Sequence, residues 1–171
     1  MNEFEIDEKI GRDKLQKVID YVNRINKREN YADNLQLTFN DEIYGTNDAG
    51  MLNVSKDLLS IVEIKNRNFN SNTYYSDIIE VTKYKKLHEL KDYIMSQEFY
   101  FNVQILYINF YTDDIMRVYK IDNMNPLKYQ VEDRECNITT ADKTSCKAFK
   151  KVMMIACNYA IKELNLTKIL K

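Results

Sequence analysis

One histidine, one proline, three glycines, three cysteines and no tryptophan occur in 171 residues. With His88 alone, histidine-rich metal sites and Ser-His or Cys-His catalysis have no raw material. Cys136, Cys146 and Cys157 are an odd, widely spaced set without a CxxC pair, which argues against a disulfide framework and a zinc ribbon. Cys157, in an apolar run, reads as buried filling. No run approaches the roughly 18 apolar residues that span a bilayer. The opening Met-Asn-Glu-Phe-Glu-Ile-Asp-Glu is acidic rather than basic-then-apolar, so the expectation is an intracellular protein with no membrane partner. Scarce Gly and Pro beside abundant Lys, Asn, Ile and Tyr reflect the coding bias of an AT-rich genome and say nothing about chemistry.

What is present is ordinary globular material, 44% apolar and 30% charged. The length suits one domain over residues 1–171. Net charge is −1, so this is no globally basic nucleic-acid binder. Charge is uneven, however: residues 142–171 balance to +5 and residues 1–48 to −4. That permits a basic face for a phosphate backbone without demanding one.

No internal repeat, low-complexity tract or linker interrupts the chain. Leu15, Val18, Ile19, Val22 and Ile25 form one helical stripe ending near 27–30. Leu35 to Tyr44 reads as a strand, and Met51, Leu52 and Val54 as a second. Leu58 to Lys65 makes a third, with Ile61, Glu63 and Lys65 on one face and Val62 and Ile64 on the other. Ser76 is placed as the cap of a helix whose first turn carries Asp77 and Glu80 and whose stripe runs Ile79, Lys83, Leu87, Leu90, Ile94. Val103–Tyr111 is apolar on both faces, as a central strand is, and Ile115–Ile121 follows as a hairpin partner. Asn123–Pro126 breaks the chain. Val152–Cys157 is a strand or a buried helix, and the tail from Tyr159 to Leu170 is expected to be helical.

Chemistry concentrates on Ile61-Val62-Glu63-Ile64-Lys65. A carboxylate and an ammonium alternate on an otherwise core-forming strand. An exposed ion pair on an edge strand is the plain explanation, and a weak interaction. Asp48 changes the weighing: it lies 15 positions before Glu63, at a turn–strand junction. A hairpin between the second and third strands brings Asp48 near Glu63. Those carboxylates and the Ile64 carbonyl would make an oxygen-rich site for a hard cation, Mg²⁺ or Mn²⁺. Lys65 would stand beside it, orienting water and offsetting phosphate charge. Asp57 is a rival for the first carboxylate, although its turn setting suits local capping.

The trio Asp48, Glu63 and Lys65 resembles the signature of the PD-(D/E)xK, or restriction-endonuclease-like, nuclease superfamily. Val62-Glu63-Ile64-Lys65-Asn66-Arg67, Lys83-Tyr84 and Val103–Tyr111 are similar to short nuclease-like proteins of bacteriophages. The resemblance covers about residues 10–121, leaving 122–171 as a C-terminal elaboration. It implies an α/β fold, a mixed β-sheet flanked by helices with an α-β-β-β-α-β core. It also implies Mg²⁺- or Mn²⁺-dependent hydrolysis of phosphodiesters, in DNA including branched forms, and an arrangement compatible with a homodimer. Asn47 replaces the proline of the signature. Glu80 with Tyr84 stands where some members carry Gln-x-x-x-Tyr, and Glu8 or Asp13 stands where some carry a helper acid. Arg67, Lys83 and Lys86 are the phosphate-contact candidates, beside Lys85 and Lys91, which otherwise form a wet helix face. The thirteen tyrosines offer base stacking or half-buried packing. A non-cutting module that binds nucleic acid or protein is the alternative.

Overall fold

A computed structural model describes residues 3–40, 46–97, 102–122, 124, 130–137 and 147–169. Helix α1 (Glu3–Arg28) opens the chain. Strands β1 (Leu35–Phe39), β2 (Ala49–Asn53) and β3 (Leu58–Asn66) follow, then β4 (Ser76–Glu80), α2 (Val81–Ser96), β5 (Asn102–Phe110) and β6 (Ile115–Lys120). Beyond them lie β7 (Val131–Asn137), β8 (Lys147–Ala156), β9 (Lys162–Asn165) and the single turn α3 (Leu166–Ile169). The fold is mixed α/β, as expected. Among the described residues no helix is long and apolar enough to cross a membrane.

Six strands form the larger sheet, ordered β1-β2-β3-β5-β6-β9, and β4-β8-β7 form a smaller one. Every pairing is antiparallel except β3 with β5, which run parallel in register from Leu58↔Asn102 to Asn66↔Phe110. A parallel pair needs a crossover, and β4 with α2 supplies it. Being central, β3 and β5 are apolar on both faces. Alternation sends Val62, Ile64, Leu106 and Ile108 to the α1 side with Leu15, Val18 and Ile19. It sends Ile61, Ile105 and Tyr107 to the other side with Leu87 of α2 and Met153 and Ile155 of β8. Each such fully buried aliphatic side chain contributes about 1.5–3 kcal/mol.

Gly11 lets α1 lie close on β3. A methyl group there would sit 2.9 Å from both the Asn66 amide nitrogen and Ile64 Cγ2, so only glycine fits without displacement.

Two expectations are overturned. Ser76 does not cap a helix: Ser76–Glu80 is β4, and Asp77 and Glu80 lie outside α2. Ile78-Ile79 is a β-branched pair suited to a pleated surface, and Asp77 and Ile79 alternate inward at a period of two. Ile79 fell in phase with the helical stripe of Lys83 and Leu87 by spacing alone. The core order therefore carries an extra strand before α2. The C-terminal tail is not one helix either, because Lys162–Asn165 pairs with the open edge of β6. A vacant sheet edge outweighs weak helical periodicity.

The apolar run Val152–Ala156 resolves as strand, within β8. Cys157 lies just past β8 and is half-buried rather than core. Residues 41–45, part of the 123–126 break, and Cys146 lie outside the described residues.

Candidate active site

The site forms where β3 outruns β2. Their ladder ends at Ala49↔Val62, and Asp48 extends it by donating its N–H to the Val62 carbonyl at 2.9 Å. Residues 63–66 continue past that point on β3. The Asp48 carboxylate folds into the resulting notch and accepts the Ile64 N–H at 2.5 Å. The N–H and C=O of a strand residue point to the same side. The Ile64 carbonyl therefore faces the notch that holds Asp48.

Glu63 is 0% exposed, on the α2 side of β3. Its Oε1 lies 2.6 Å from Lys65 Nζ and its Oε2 lies 3.2 Å from Lys83 Nζ. Both contacts are ion pairs by distance, yet neither oxygen receives a well-angled hydrogen bond among the described residues. The two ammoniums compensate the buried carboxylate, Lys65 by the shorter contact and Lys83 by the longer.

Electrostatics bind the group together. Burial first, and then the Glu63 charge, push the Asp48 carboxyl up to about 6, against the opposing pull of Lys65, the Ile64 N–H and Lys83. Burial pulls the Lys65 ammonium down, but Glu63, Tyr107 and Asp48 outweigh it and the net shift is upward. Lys65 therefore stays charged at neutral pH. It acts as a fixed cation and hydrogen-bond donor, not as a base.

A cleft of about 120 Å³ opens beside Asp48 and Lys65, lined by Asp7, Glu8, Arg12, Asp48, Ile64, Lys65 and Asn66, with Glu63 buried behind it and not in its lining. At about 30 Å³ per water molecule, it holds a cation and a few waters. Close packing of α1 on β3 at Gly11 brings Asp7 and Glu8 to its rim. Of the two helix acids expected there, Glu8, whose Oε1 lies 2.5 Å from Arg12 Nη2, lines the cleft and Asp13 does not. Asp7 was not anticipated. Its signal was the glycine one turn later in an otherwise apolar-striped helix.

Other candidates separate cleanly. Asp57 adopts φ 49° just before β3, where its N–H bonds the Val54 carbonyl. It is six residues from Glu63 along an extended strand, about 20 Å away at the usual rise, which leaves Asp48 as the nearer of the two candidate carboxylates. Lys83 reaches Glu63 and also the Thr46 carbonyl, at 3.4 Å. Lys85 and Lys86 are exposed on α2, and Lys91 pairs with Asp122 at 3.5 Å. Glu80 pairs with Lys150 at 2.9 Å, and the Tyr84 hydroxyl donates to the Met124 carbonyl. Both are engaged in packing. Arg67 turns inward, donating to Asn109 Oδ1 at 2.8 Å, the Tyr107 hydroxyl at 2.8 Å and the Ile78 carbonyl at 2.9 Å. In that geometry its guanidinium ties β4 to β5.

The donor set fits a hard divalent cation: two carboxylates, a main-chain carbonyl and space for water. Among the described residues no three His, Cys, Asp or Glu side chains cluster to hold a metal by themselves, so water must complete any coordination. No family model matches the chain, and no curated protein matches it significantly.

Proposed function

We propose that the protein is a Mg²⁺- or Mn²⁺-dependent nuclease that hydrolyses phosphodiester bonds in DNA, with a PD-(D/E)xK-type site. The observation that carries this reading is Glu63. It is fully buried between the Lys65 and Lys83 ammoniums, and its charge is felt by Asp48, whose carboxylate accepts the Ile64 N–H beside it. A helix, three strands, a crossover helix and a parallel central strand in that order support a restriction-endonuclease-like core, with β4 as an insertion.

Asp48, Glu63 and the Ile64 carbonyl would hold the cation. When bound, it supplies Lewis-acid charge to a phosphoryl oxygen and lowers the pKa of water. Lys65, held charged beside Glu63, offsets the negative charge that builds on the phosphate and orients the attacking water. Asp48 is ready to ligate above about pH 6, where it has lost its proton. Lys86, on the exposed face of α2, is placed for a backbone phosphate.

The test is a cleavage panel of plasmid, branched, single-stranded DNA and RNA with Mg²⁺ or Mn²⁺, run on the wild type and on Asp48→Ala, Glu63→Ala and Lys65→Ala. Cleavage of at least one substrate by the wild type and loss in all three folded variants is expected. Equal cleavage by all four proteins would sink the assignment.

A further inference from the structure

We propose that Lys83 is a built-in placeholder cation: it holds Glu63 while the site lacks metal and withdraws when a divalent cation binds. This deepens the nuclease reading and rests on Asp48 and Glu63 being the metal ligands.

Charge balance is the first argument. Two carboxylates, Asp48 and Glu63, stand with two ammoniums, Lys65 and Lys83, so the formal charges of the cluster balance as it stands. A divalent cation beside them leaves an excess of two positive charges in a partly buried setting. Such an excess is costly unless a lysine leaves or an anion arrives. Buried Glu63 keeps Lys65 at 2.6 Å whether or not Lys83 stays, so withdrawal of Lys83 leaves no unpaired buried carboxylate.

Geometry selects which lysine moves. Lys65 is fixed two residues along the same strand face, at 2.6 Å from Oε1. Lys83 arrives from a different element at 3.2 Å from Oε2, and its other contact, to the Thr46 carbonyl, is long at 3.4 Å. It stands in the first turn of α2, a helix with no acid in that turn and no side-chain cap. A cation at the positive end of a helix dipole is disfavoured. The pairing with Glu63 and the long contact to the Thr46 carbonyl offset that placement, so loss of the Glu63 pairing leaves only the weaker of the two to hold Lys83.

Two effects follow. Metal must displace Lys83, which weakens metal affinity in the absence of substrate. The freed ammonium, already 27% exposed, is then available to a phosphate, so metal and polyanion favour one another's binding.

Mn²⁺ titration of the full chain, by calorimetry and by thermal melting, tests this on the wild type and on Lys83→Met, Lys83→Gln and Lys83→Arg. Lys83→Met and Lys83→Gln should bind Mn²⁺ about tenfold more tightly, a change of about 1.4 kcal/mol. Lys83→Arg should bind as the wild type does. The two neutral variants should melt lower without metal and gain more from Mn²⁺. A variant that folds only with Mn²⁺ present counts as the same result. If the wild type binds Mn²⁺ and the neutral variants bind it equally or less tightly, the placeholder role is overturned and the metal site stands. If no protein in the set binds Mn²⁺, the metal site itself falls, and the placeholder with it.

Discussion

Two buried carboxylates, Glu63 and Asp77, sit on the same side of the larger sheet and are treated in opposite ways. Asp77 of β4 is 3% exposed and its Oδ2 accepts hydrogen bonds from the hydroxyls of Tyr111 and Tyr119. Arg117 extends that network at 3.5 Å from the Tyr111 hydroxyl, 3.0 Å from Cys157 Sγ and 2.6 Å from Glu163 Oε2. Burial, and then Asp77, push both tyrosine hydroxyls upward, so they remain protonated donors. Burial likewise pushes the Cys157 thiol up despite Arg117, so it is no ready nucleophile. Glu63 instead faces two ammoniums, Lys65 at 2.6 Å and Lys83 at 3.2 Å, and no hydroxyl. A carboxylate held by tyrosine hydroxyls fastens the smaller sheet to the larger one, and the one held by ammoniums is, on our proposal, the one that takes a cation.

The sharpest way to break that contrast is to swap the penalties. Glu63→Gln should cut cleavage per folded molecule more than any other conservative change. Loss of Lys65, in Lys65→Ala, should cost on the order of a hundred- to a thousandfold. Asp77→Ala should leave cleavage per folded molecule intact and cost about 3 kcal/mol in urea denaturation, because two buried hydroxyls lose their acceptor. If Asp77→Ala abolished cleavage in fully folded protein, the division of labour would be wrong.

Asp48 sharpens the contrast further, because function and stability conflict there. Its folded pKa, about 6, lies above the ordinary 3.8. Between those values the folded protein binds more protons than the unfolded chain, so the Asp48 contribution falls as pH rises through the window. Ionised Asp48 thus costs up to about 3 kcal/mol above pH 6, at 1.36 kcal/mol per unit. Asp48→Asn should therefore melt higher than the wild type at pH 7.5 while losing metal binding, and the advantage should vanish by about pH 4. An unchanged melting difference across that range would contradict the burial argument. The smallest effect is expected from Lys86→Ala. It should leave stability within about 0.5 kcal/mol and lower the salt slope of DNA binding by roughly one unit.

The alternation of apolar residues made β3 readable, and with it the face shared by Glu63 and Lys65. Lys83 stands out as a lysine on a core-facing stripe and reads as a phosphate contact, whereas its pairing with Glu63 has no local signal. The Asp77 network was hidden. Its acid sits in a five-residue strand whose spacing continues a helical stripe, and its partners come from strands more than 30 residues on. Strand β9 was invisible for a related reason, since only the unpaired edge of β6 makes a strand of Lys162–Asn165. Arg67 followed the motif strand directly, and nothing local announced that Tyr107 and Asn109 would draw it inward.

Mn²⁺ calorimetry at pH 7.5 on the wild type, Glu63→Gln and Asp77→Asn tests most directly which buried carboxylate takes a cation. Binding in the wild type, its loss in Glu63→Gln and its retention in folded Asp77→Asn are predicted. Binding that survives in Glu63→Gln, or none in the wild type, would contradict the metal site proposed at Glu63.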